Sequence, residues 1–144
     1  MISLKNPDQI GKMREAGALL YEVLQKLREA VKPGVSTAAL DVYAEQLIRK
    51  HKAIPSFLDY QGYPASICVS VNDEVVHGIP NKHRVLQEGD IVSLDAGLIY
   101  KGYHSDAART HAVGQISPEA QKLIDVTKQS FFEGIRYAKR GHRR

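Results

Sequence analysis

Two aspartates interrupt otherwise strand-like stretches of the chain. Asp95 lies within Asp90-Ile91-Val92-Ser93-Leu94-Asp95-Ala96-Gly97, and Asp106 within the run from Tyr103 to Val113. If the intervening Lys101-Gly102 is a two-residue turn, Asp106 falls opposite Gly97 and Asp95 opposite Ala108. The two carboxylates then share one face as diagonal neighbours, with Cα atoms about 7–8 Å apart. Charges so placed repel unless a cation or a shared proton lies between them. A divalent metal is the obvious cation, and oxygen ligands suit Mn, Co, Fe or Zn. A three-residue loop would instead put the two side chains on opposite faces, and the alternative for either Asp is to serve a turn or a surface ladder.

The histidines divide by parity. His104 shares the parity of Asp106 and could face the same site, whereas His111 has the opposite parity and reads as a surface or packing histidine. His77, before Gly78-Ile79-Pro80, is either a ligand, a proton donor or a satisfied structural histidine. Cys68 sits in an apolar strand with no base nearby in sequence, so it reads as core or pocket lining. No Gly-x-Ser-x-Gly and no phosphate-binding loop occurs. Asp59-Tyr60-Gln61-Gly62-Tyr63-Pro64 spaces two aromatics on a Gly/Pro loop, as packing or as a substrate pocket wall.

These residues need elements to hold them. Asn6-Pro7-Asp8-Gln9 starts a helix, with Asn6 as cap, Pro7 at the first helical position and Asp8 at the positive end of the dipole. Ile10, Met13, Gly17, Leu20, Leu24, Leu27 and Val31 recur along its inner face until Lys32-Pro33-Gly34 stops it. Ser36 or Thr37 caps a second helix, with Leu40, Tyr43, Ala44, Leu47 and Ile48 inward. A turn-rich loop runs from Ile54-Pro55-Ser56 to Tyr63-Pro64, after which the period changes to two. Ile67-Cys68-Val69-Ser70-Val71 reads as a strand turned by Asn72-Asp73, followed by the hairpin described above. Ser117-Pro118-Glu119 opens a third helix carried by Ala120, Leu123, Ile124, Thr127, Phe131, Ile135 and Ala138. The order helix, helix, strands, helix argues α+β rather than a wound parallel sheet.

Composition narrows the class further. At 144 residues, 43% hydrophobic and 25% charged, the chain fits one globular domain over 1–144 and excludes disordered, collagen-like and coiled-coil classes. No apolar run approaches the ~18–20 residues that span a bilayer, and the start at Met1-Ile2-Ser3 lacks a signal-peptide pattern. A single cysteine suits a reducing cytoplasm. The net charge of +4 resides in the last nine residues, which hold Arg136, Lys139, Arg140, Arg143 and Arg144 and no acid. That basic end reads as a solvated helix end or a contact for an anionic partner such as ribosomal RNA. No nucleic-acid-binding motif accompanies it.

Lys12-Met13-Arg14-Glu15-Ala16-Gly17, Asp59-Tyr60-Gln61-Gly62-Tyr63-Pro64, Val71-Asn72-Asp73-Glu74-Val75-Val76-His77-Gly78-Ile79-Pro80, Leu94-Asp95-Ala96-Gly97 and Gly102-Tyr103-His104-Ser105-Asp106 follow in order. Together they resemble type I methionine aminopeptidase across essentially the whole chain. The resemblance implies the pita-bread (creatinase/aminopeptidase-like) fold, with antiparallel strands backed by helices. The implied activity is metal-dependent removal of the initiator Met from nascent peptides near the ribosome, using Co, Mn, Fe, Zn or Ni. Asp95 and Asp106 would be metal ligands, and His77 would be catalytic and touch the substrate amide. Phe57, Tyr60, Tyr63 and Cys68 would line the Met pocket beside His77, Phe57 standing where some members have Cys.

The same resemblance implies a second half that supplies a His ligand, two Glu ligands and a further catalytic His. Gly141-His142 would open that half, and the sequence stops at Arg144. The expectation is therefore an N-terminal half, truncated, with weak or absent metal binding and little or no activity alone. A half-domain that assembles as a homodimer or with a separate C-terminal half is the alternative. A non-catalytic pita-bread binding module is another, against which the intact Asp95, Asp106 and His77 weigh.

Overall fold

A computed structural model describes residues 3–142; Met1, Ile2, and Arg143 and Arg144 of the basic end lie outside it. Among the described residues three α-helices and four strands follow in chain order, α1 Pro7–Ala30, α2 Thr37–Lys50, β1 Ile54–Pro55, β2 Ile67–Val71, β3 Ile91–Tyr100, β4 Tyr103–Ala112 and α3 Pro118–Ile135, with a 3-10 turn at Tyr60–Gly62. The fold is α+β, with an antiparallel sheet and α1 and α2 packed on one of its faces.

The β3–β4 hairpin turns at Lys101-Gly102, with φ of +50° and +80°. A two-residue turn with both φ positive matches the right-handed twist of its strands, and Gly102 meets that need at no steric cost. The turn fixes the ladder, so Gly97 faces Asp106 and Asp95 faces Ala108. Along the other edge of β3, β2 pairs with Val92–Ala96 and β1 with Leu98 and Ile99. The expected loop at Ile54-Pro55 is thus a short strand. Two residues are too few for an alternation to register in sequence; it is the vacant end of β3 that recruits them.

One sheet face is the core. Ile67, Val69 and Val71 of β2 and Val92, Leu94, Ala96 and Leu98 of β3 are buried there. Against them pack Ala16, Leu20, Val23, Leu24 and Leu27 of α1, and Leu40, Ala44 and Ile48 of α2. α1 opens with a reciprocal cap, the Asn6 side chain accepting from the Gln9 N–H and the Gln9 side chain from the Asn6 N–H, each at 2.9 Å. Ile10 and Met13 are not on the core; they are 44% and 41% exposed. Glu15 meets Lys101 at the hairpin tip, 2.6 Å apart, so the turns of α1 before it project past the sheet. Ser36, rather than Thr37, caps α2 by accepting from the Ala39 N–H.

α3 is capped by Ser117, which accepts from the Ala120 N–H. It contributes no fully buried residue, and Leu123, Val126, Phe131, Phe132 and Ile135 are each at least half exposed. Lys139 and Arg140 follow the helix rather than ending it. No helix among the described residues is long and apolar enough to cross a membrane.

Candidate active site

Side chains on the sheet face away from α1 and α2 build the site. Strand alternation sends Asp95 of β3, Asp106 of β4 and Cys68 of β2 to that face, Cys68 standing directly across from Asp95. The segment after β1 and the loop after β2 close over it. A cavity of about 530 Å³ results, lined by Phe57, Tyr60, Gln61, Gly62, Tyr63, Cys68, His77, Asp95 and Asp106. All seven residues that the sequence nominated are therefore brought to one place.

The loop from Asp59 to Gly62 is shaped by left-handed backbone at Asp59, Gln61 and Gly62 and closed by its own hydrogen bonds. The Tyr60 N–H donates to the Phe57 carbonyl at 2.9 Å, and the Asp59 N–H to the Tyr63 carbonyl at 2.9 Å. Tyr63 is turned inward, its hydroxyl donating to the carbonyls of Ile67 at 3.1 Å and Gly78 at 3.3 Å. Burial first, and then the Cys68 thiol, push the Tyr63 phenol far above its ordinary range, so it stays a donor. Tyr60 remains 65% exposed at the mouth.

His77 is held by its neighbour. Gly78 lies against the edge of β2: the Val69 N–H donates to its carbonyl at 2.9 Å, and its own N–H donates to Ser70 Oγ at 3.1 Å. A Cβ at position 78 would collide with the Val69 carbonyl, so only glycine fits. His77 itself takes φ +59°, a conformation uncommon outside glycine but tolerated by His. That strain is held by the Gly78 staple and aims the imidazole at the cavity.

Electrostatics mark the carboxylates. Burial first, then the charge of Asp106, raises the Asp95 carboxyl above the usual carboxylate range, and His77 offsets part of this. Asp95 Oδ1 is buried with no hydrogen-bond partner. A buried, unpartnered carboxylate oxygen beside a second carboxylate is a donor set in want of a cation. It is an incomplete set, because no group of three or more His, Cys, Asp or Glu could hold an ion among the described residues. Asp95 and Asp106 thus fit as two members of a larger ligand shell, not as a whole one.

The other histidines separate as their parity requires. His104 shares the face of Asp106 but is exposed and outside the cavity lining, its Nδ1 3.1 Å from Ser56 Oγ. His111 is on the helix-covered face, paired with Val92 in the ladder and with Nε2 buried and unpartnered. Gln61 and Gly62 also line the cavity, where the sequence points to the Asp59-to-Pro64 loop only through its two aromatics.

The sequence pattern of metallopeptidase family M24 matches residues 11–143. The chain is 59% identical over 143 residues to the methionine aminopeptidase of Clostridium acetobutylicum, covering 99% of this chain and 57% of that protein. It is 50% identical to methionine aminopeptidase 1 of Bacillus subtilis, with the same coverage. The crystal structure of methionine aminopeptidase from Rickettsia prowazekii superposes with a TM-score of 0.92 at 40% identity, over 94% of this chain and 54% of that one. The chain spans little more than half the length of the relatives it matches.

Proposed function

Because the chain belongs to metallopeptidase family M24, we propose that it carries the Met side-chain pocket and part of the metal-holding shell of a methionine aminopeptidase. One observation carries this reading: Phe57, Tyr60, Tyr63, Cys68 and His77 share a single cavity with the two carboxylates. The apolar and aromatic walls take an unbranched thioether side chain, to which sulfur–aromatic contact adds. His77 contacts the peptide amide next to the scissile bond. Asp95 and Asp106 would hold divalent ions, Co, Mn, Fe, Zn or Ni in this family. Such an ion supplies Lewis-acid polarisation of the scissile carbonyl and a nucleophile at neutral pH. The substrate is the amino-terminal Met of nascent peptides, met in the cytoplasm near the ribosome.

With two carboxylates, the 144 residues as a single domain bind such an ion weakly and release no Met on their own. Catalytic sites take at least three protein ligands, and an absent general base costs about 10²–10⁴-fold. Calorimetric titration with Mn or Co tests the first point. Weak binding that disappears in Asp106→Ala is expected, and tight stoichiometric binding unaffected by that change would move the site elsewhere. Incubation with a Met-Ala-Ser peptide tests the second: robust turnover abolished by Asp95→Ala would show that the chain suffices.

A second reading is favoured by α3. Its uncovered Leu123, Val126, Phe131, Phe132 and Ile135 suit a half-domain that completes itself with a homodimer partner or a separate C-terminal half.

A further inference from the structure

Gly97 is buried in the middle of β3, directly across from Asp106. Its backbone is ordinary extended strand, unlike that of Gly102, so no left-handed φ demands glycine there. A neighbour does. A Cβ at position 97 would lie 2.9 Å from Cε1 and 3.3 Å from Cζ of the Phe57 ring, and 3.0 Å from Ser56 Cβ. Carbon atoms in good contact sit about 3.5–4.0 Å apart, so ring and Cβ cannot share that space.

The side on which this happens matters. By strand alternation, the Cβ direction of position 97 is that of Asp95 and Asp106. The Phe57 ring therefore lies on β3 beside the two carboxylates, in the cavity wall. Ser56 anchors the approach from two directions. Its N–H donates to the Gly97 carbonyl at 2.9 Å, and its Oγ is 3.1 Å from His104 Nδ1.

We propose that Gly97 is a positioning residue for substrate selection: its missing side chain lets Phe57 lie on β3, and the ring so placed sets the size of side chain the cavity admits. The inference rests on the reading of this cavity as a Met pocket. With Ala at 97 the ring is pushed off its bed into the cavity. With a small residue at 57 the bed is vacant, Ala at 97 keeps only the 3.0 Å approach to Ser56 Cβ, and bulkier side chains enter. Overpacked sites cannot relax for free, but they relax once the opposing group is cut back.

The test is a double-mutant cycle on the 144-residue chain, titrated with L-methionine amide and L-phenylalanine amide and followed by amide chemical shifts. Gly97→Ala should weaken methionine amide about tenfold or more, the scale of overpacking. Phe57→Ala should shift preference toward phenylalanine amide, and adding it to Gly97→Ala should recover most of the lost binding, the Ser56 contact accounting for the remainder. The Gly97 α-protons should carry a ring-current shift in the wild type and lose it in Phe57→Ala. Additive losses without rescue, or unshifted α-protons, overturn the role of Gly97. A wild-type chain that binds neither amide while keeping the ring-current shift overturns the Met-pocket reading, and with it the selectivity drawn from that reading.

Discussion

Cys68 stands directly across the β2–β3 ladder from Asp95, so a buried thiol and a half-buried carboxylate share one face of the sheet. The carboxylate is there at a cost to the fold, since Asp95 Oδ1 has no partner and Asp106 is its charged neighbour. In metal-free protein at neutral pH, Asp95→Asn should therefore raise the melting temperature by a few degrees. Millimolar manganese should raise the melting temperature of the wild type and leave Asp95→Asn unmoved, because binding to the native state alone stabilises it. An Asn variant that melts lower than wild type without metal would show that the carboxylate is already compensated.

His111 predicts an acid-side loss of stability. Burial first, then Arg28 on α1 and Arg109 on its own strand, hold its imidazole below the ordinary value of 6.5. A lowered value means that the unfolded chain takes up the proton more readily than the native one. The stability is complete above pH 6.5 and declines as pH falls through the folded value. Thermal melts between pH 7.5 and 5 should show that decline, and His111→Leu should flatten it while removing an unpartnered buried nitrogen. An unchanged slope in the Leu variant would assign the effect to another histidine.

Asp41 ties α2 to the start of β2. Its Oδ1 accepts from the Ser66 N–H at 2.8 Å and the Ile67 N–H at 3.0 Å. Asp41→Ala leaves two part-buried amides unsatisfied, a loss of about 2 kcal/mol in urea unfolding. A loss below about 0.5 kcal/mol would mean that water takes over both amides.

The apolar face of α3 predicts association. Sedimentation at micromolar concentration should show species heavier than the 16.0 kDa chain. Phe131→Ser with Ile135→Ser should return the protein to a monomer, since both side chains are more than half exposed and neither supports the core. A monodisperse wild-type monomer would remove the self-assembling reading.

Local chemistry made much of the fold legible. Cap residues at Asn6, Ser36 and Ser117, the Lys101-Gly102 turn and the strand alternation of β2 each follow from interactions within a few residues. The same short range put Asp95 and Asp106 on one face, because a two-residue turn leaves a single register. Elements that depend on distant partners were not legible in this way. β1 exists because β3 has an unfilled edge, and Val23 is buried while Ile10 and Met13 are not because α1 overshoots the hairpin tip.

The sequence by itself therefore determined the helix starts and the strand periods and, once the turn holds two residues, the pairing of two carboxylates, all set by local turn, cap and period. Only the tertiary structure decided which sheet face would be covered by α1 and α2 and which left open. It also decided that Phe57, 38 or more residues before either carboxylate, would lie on Gly97 between them. Such contacts arise when the helices bury one face and the loops are folded over the other. No periodicity encodes a glycine kept bare for a ring so far away in sequence.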